Sequence, residues 1–123
     1  MENDTTEDIN TLIERILADF EVDGKKIPVR FLQYNGHDEP YVVYTPTSNA
    51  GVLRADDQVQ KYVQYVDFGV YSKGNYTNIV KQLKSKLIEN GFMWQPENDL
   101  EPMYNVDTGY YIKVINFAIE RSI

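Results

Sequence analysis

The chain has no cysteine and only one histidine, His37, in 123 residues. Without thiols there is no disulfide scaffold, no thiolate nucleophile and almost no design for structural zinc. A single histidine in a turn-rich stretch builds neither an HExxH zinc helix nor a Ser-His-Asp set, and it reads as a solvated loop side chain. No Gly-rich phosphate loop is present. Cations are scarce as well, 12 Lys and Arg against 19 Asp and Glu, for a formal charge of -7. That balance repels a phosphate backbone unless the cations gather on one face, so direct nucleic-acid binding is disfavoured. Nothing approaches the run of about eighteen apolar residues that crosses a bilayer, and the opening MENDTTEDIN is acidic where a secretory signal is basic and then apolar. The expectation is a soluble intracellular protein without metal, cofactor or membrane contact.

What is present organises around Tyr62 to Phe92. Val66, Phe68 and Val70 alternate with Tyr65, Asp67 and Tyr71, the pattern of a half-buried strand. After Gly74-Asn75, Ile79, Val80, Leu83 and Leu87 recur at helical spacing until Asn90-Gly91 supplies a stop. An earlier helix is signalled by Ile9, Leu12, Ile13, Ile16, Leu17 and Phe20, with Thr5 and Asp8 as a capping-box-like pair and an end near Glu21. Lys26 to Tyr34 reads as a strand that Pro28 places at an edge or at its own start. Asn35-Gly36 then reads as a turn into a second strand, Tyr41 to Thr45, so the two are expected to form a hairpin. Phe92 to Trp94 and Tyr110 to Glu120 complete the strands.

The expected architecture is α+β: a largely antiparallel mixed sheet of four to five strands with two helices packed on one face, in the order α-β-β-β-α-β-β. One domain spans 1–123, with 1–5 as a flexible N-terminus and 46–58 as a long loop.

Candidate chemistry is thin. The pairs Asp56-Asp57 and Glu97/Asp99/Glu101 have the groups for acid–base work or a divalent cation, but acidic loop residues more often simply solvate. Lys73, Lys81, Lys84 and Lys86 suggest phosphate binding or, more plainly, the solvated face of an amphipathic helix. Met93, Trp94 and Met103 read as core or rim packing. The ten tyrosines suit strand surfaces and subunit interfaces alike. Val52 and Leu53, flanked by Arg54, Asp56 and Asp57, are two aliphatics in a polar loop, and they mark a contact site for another subunit or a partner.

The chain resembles the tail-completion or tail-terminator proteins of long-tailed bacteriophages. The likeness lies in the N-terminal helix, IPVRFLQYNG, YVVYTP, the block VDFGVYSKGNYTNIVKQLKSKLIENGF and the tyrosine-led last strand. It implies a non-enzymatic virion protein that caps the growing tail tube as a ring, commonly a hexamer, and presents a surface for joining to the head. The implied partners are itself, the tail-tube protein and head-connector proteins; the implied location is the host cytoplasm and then the virion at the head–tail interface. A neighbouring head–tail connector is the alternative within this class. An acidic inhibitor or DNA mimic is the alternative outside it, although a mimic needs carboxylates arrayed at phosphate-like intervals and here they are scattered.

Overall fold

Val66, Phe68 and Val70 are fully buried on one face of a strand and Ile79, Val80, Leu83 and Leu87 are the buried side of a helix, as the two periodicities require. The computed structural model describes residues 7–34, 40–55 and 58–122, with the backbone alone at 50–55 and 58–60. Its helices are α1 (Ile9–Ile16) and α2 (Thr77–Glu89); its strands are β1 (Glu21–Val22), β2 (Lys25–Lys26), β3 (Val29–Phe31), β4 (Tyr41–Ala55), β5 (Gln58–Ser72), β6 (Met93–Trp94), β7 (Met103–Asn105) and β8 (Tyr110–Ser122). The class is α+β.

Six strands form the main sheet, in the order β3-β4-β5-β8-β6, with β7 also paired to β8. Register places Tyr44 opposite Phe68 and Phe68 opposite Ile115, so these strands turn one continuous face to the core. Both helices bury their stripes in that core, α1 through Ile13 and Ile16 and α2 through Leu83 and Leu87. The strand count exceeds the expected four to five because the short pieces β1, β2 and β7 carry no period long enough to read.

Local chemistry sets the helix ends. Asp8 caps α1: its carboxylate accepts the backbone N–H groups of Asn10 and Thr11 at 3.1 and 3.3 Å, while Thr5 and the rest of the expected flexible segment 1–5 lie outside the described residues. Ahead of α2, Asn75 Oδ1 accepts the Thr77 N–H at 2.8 Å. At the far end Phe92 N–H donates to Leu87 O and Gly91 N–H to Ile88 O, a Schellman motif. It requires φ of +92° at Gly91, where a side chain would be strained.

Three expectations fail. Helix α1 ends at Ile16 rather than near Glu21, which begins β1 instead. The segments around Val29–Phe31 and Tyr41 to Thr45 are not an antiparallel hairpin; they pair in parallel, Val29 with Val42 and Phe31 with Tyr44. A γ-turn at Leu32, φ +65°, with Gln33 N–H donating to Phe31 O, turns the chain out of β3 instead. Nor is 46–58 a loop. Residues 46–55 continue β4 and pair with β5 as far as Ala55 opposite Gln58. Register shifts fall at Pro46/Asn49, Gly51/Leu53 and Leu53/Arg54, and each bulge breaks the two-residue alternation by which a strand is recognised.

Candidate functional site

The hairpin of β4 and β5 grows out of the core and outruns it. Core packing along β5 begins at Val66, and β8 supports β5 only to Lys61, opposite Ser122, so the last paired residues stand as two strands. β3 covers the outer side of β4 only at Val42 to Tyr44, and among the described residues no strand pairs with that side from Thr45 to Ala55. The sequence-derived contact residues Val52, Leu53 and Arg54 lie in the distal part of this arm, within β4, with Val52 inside a bulge. Asp56 and Asp57, which join β4 to β5, lie outside the described residues, as does His37. Ten residues from Pro46 to Ala55 at about 3.3 Å each give an arm some 30 Å long.

The opposite edge of the sheet is closed from Tyr110 to Ala118. β6 pairs with β8 at Ala118 and Phe117, Gln95 N–H donates to Asn116 O, Leu100 N–H donates to Val114 O, and β7 takes over from Ile112 to Tyr110. Where no backbone carbonyl reaches, Asp99 Oδ1 accepts the Asn116 N–H at 2.9 Å. The same carboxylate receives the Trp94 indole N–H at 3.0 Å, and Lys84 sits 3.5 Å above the Trp94 ring. This covering blunts the edge as a template for further pairing. It leaves Met93, Leu100, Met103, Tyr104 and Val106 exposed. Met93, Trp94 and Met103 are thus rim rather than core.

On the face away from the helices, Tyr41 stacks on Tyr71 with ring centroids 4.6 Å apart and planes at 8°, and Tyr110 meets Tyr41 edge-on at 5.3 Å. Burial, then the neighbouring phenols Tyr71, Tyr110 and Tyr34, push the Tyr41 hydroxyl up to about 12. Gly69 makes room for the stack, since a Cβ there would stand 3.2 Å from the Tyr71 ring. On the core side, the buried Tyr44 donates its hydroxyl to Glu14 Oε2 at 2.8 Å, and burial followed by that carboxylate raises its pKa strongly.

Further along the outer face Asn116 Nδ2 donates to Asp67 Oδ1 at 2.7 Å and Asn98 Nδ2 to Asn116 Oδ1 at 3.2 Å, a polar network already paired within itself. A cleft of about 600 Å³ lies beside β3, lined by Glu14, Leu17, Lys26, Pro28 and Arg30. Among the described residues no group of three or more His, Asp or Glu is placed to hold a metal ion, and Glu97/Asp99/Glu101 are not brought together as one. Lys81 and Lys86 are exposed on α2, the solvated-face reading, while Lys84 is turned onto Trp94. No helix among the described residues is long and apolar enough to cross a membrane.

No family model matches the chain, and no curated protein matches its sequence.

Proposed function

We propose that this chain is a structural virion protein of a long-tailed bacteriophage that caps the tail tube as a ring, ends tail growth and offers the surface to which the head joins. The observation that carries the reading is the arm: β4 from Pro46 to Ala55, about 30 Å long and paired to β5, with its outer side uncovered by any described strand and its last residues, beyond Leu53 opposite Lys61, standing without β8. Such an edge is a ready partner for another chain, and natural monomers usually blunt it, as this chain does along β8 from Tyr110 to Ala118. In this role the arm reaches the tube or a neighbouring subunit while the helix-backed sheet serves as the body. No chemical step is required of it, and the tail-terminator resemblance of the sequence gives the assembly its direction. The test is genetic: a phage lacking the gene should make tails of uncontrolled length or tails that never join heads. Normal infectious particles from that phage would overturn the reading.

A further inference from the structure

Between Pro46, opposite Val66, and Asn49, opposite Gln64, β4 has two residues where β5 has one, so Thr47 and Ser48 face Tyr65 across a bulge. Neighbours in a regular strand point to opposite faces, yet both of these line one hollow of about 350 Å³, together with Tyr65, Asp67, Asn98 and Asn116. The bulge gathers residues that alternation would separate. Tyr65 and Asp67 come from β5, Asn116 from β8, opposite Asp67, and Asn98 from a short 3-10 turn at Pro96–Asn98, which places the hollow on the sheet face away from the helices.

The hydrogen bonds inside the hollow spend donors and leave acceptors. Asn116, only 5% exposed, gives its Nδ2 to Val66 O at 3.5 Å and to Asp67 Oδ1 at 2.7 Å. Its own Oδ1 takes the Asn98 Nδ2 at 3.2 Å, and the Thr47 hydroxyl donates to Tyr65 O at 3.2 Å. Among the described residues nothing donates to Asp67 Oδ2 or Asn98 Oδ1, and Thr47 Oγ1 keeps its lone pairs. A buried amide grips one oxygen of the Asp67 carboxylate, which fixes the position of the other. None of the lining residues is a cation.

That arrangement selects the ligand. An anion would meet a carboxylate with nothing to neutralise it, and an apolar group would desolvate acceptors and give them no donor in return. A calcium-like ion takes about six to eight oxygens, usually from several carboxylates, and Asp67 is the one carboxylate in the lining. A primary ammonium brings a positive charge and only N–H donors, the complement of what is left. Tyr65, two residues from Asp67 on the same face of β5, adds an aromatic side chain for the alkyl stem or the charge.

We infer that this hollow binds a primary alkylammonium group, its charge on Asp67 Oδ2 and its remaining N–H groups on Asn98 Oδ1 and the Thr47 and Ser48 hydroxyls. A lysine side chain of another protein and a free diamine share that chemistry. The site is built within one chain and does not need the ring.

Nuclear magnetic resonance of the isotope-labelled full chain tests it with three probes: Nα-acetyl-lysine methylamide, cadaverine, and Nα-acetyl-norleucine methylamide, which keeps the stem and lacks the ammonium. The amide signals of Ser48, Asp67, Asn98 and Asn116 should move with the first two and stay still with the third. Tighter binding of the capped lysine assigns the site to a partner's side chain; tighter binding of cadaverine assigns it to a free diamine. Asp67→Asn keeps the shape and an oxygen for Asn116, and should weaken both by about tenfold or more. Ser48→Asp, at an exposed position, adds a second carboxylate and should tighten both by about two- to fivefold. The site is overturned if capped norleucine moves the same signals as far, or if either variant binds the amines like wild type. Calcium chloride or glucose moving those signals at lower concentration than the amines would overturn it too.

Discussion

The Asp99 carboxylate accepts the backbone N–H of Asn116 at 2.9 Å, standing where the carbonyl of a neighbouring strand would otherwise be. Asp99→Ala removes the acceptor of that N–H and of the Trp94 indole together, and should cost about 1–3 kcal/mol in urea unfolding. Asp99→Asn keeps one oxygen and should recover part of the loss. A change in Trp94 fluorescence should accompany the alanine variant, since the indole loses its partner.

Alkaline pH should loosen the tyrosine stack. Tyr41 ionises near 10 in the unfolded chain but is pushed up to about 12 in the fold, so its contribution is complete below pH 10 and is lost as pH rises toward 12. Thermal stability should therefore fall across that window. Tyr41→Phe should make the fall shallower, read by denaturation scans at stepped pH; an unchanged slope would count against the stack as its cause.

Gly69→Ala should displace the Tyr71 ring, because the added Cβ would stand 3.2 Å from it. Overpacking of this kind costs about 1–3 kcal/mol. A second change, Tyr71→Ser, should make the added methyl nearly harmless, so the two substitutions should be strongly non-additive in a double-mutant cycle.

Gly91→Ala places a side chain at φ +92° in the Schellman turn that ends α2. The expected loss is about 1 kcal/mol, and Gly91→Asn should be milder because Asn tolerates the left-handed region better. Chemical denaturation of the three chains gives the ranking directly.

The arm should be separable from the fold. Replacing Val52 and Leu53 by Ser leaves the buried run from Val66 to Val70 untouched, so the body of the domain should still unfold cooperatively in chemical denaturation. Binding to tail tubes, followed by electron microscopy of mixed samples, should weaken. Tubes capped as well as by wild type would remove the distal arm from the contact.

The parts of the fold that could be read in advance are those with an unbroken period. Val66, Phe68 and Val70 alternate, Ile79, Val80, Leu83 and Leu87 recur at helical spacing, and all seven are buried. The arm escaped because three register shifts erase its alternation, while Pro46, Asn49 and Gly51 look like breakers. Pro46 is tolerated where β4 has become an edge strand, a position that sequence does not reveal. Parallel pairing of β3 with β4 escaped because Asn35-Gly36 is also a strong hairpin signal. Val52 and Leu53 stood out as apolar residues in a polar stretch, while their place within β4 did not. The edges of the sheet were not legible either, since only the strand order shows that β3 and β6–β7 lie at opposite limits.

Arg121 lies buried at the far end of β8 and its guanidinium donates to the backbone carbonyl of Glu7, just ahead of α1. The start of the first helix is thus fastened by a residue made 114 positions later. On a ribosome β4 can pair with β3 and β5 early, but β8, which pairs with β5 on one side and with β6 and β7 on the other, arrives last. β6 and β7 therefore have no strand to pair with until synthesis reaches β8. A nascent chain thus cannot complete its sheet, or fasten the start of α1, until its last strand has been made.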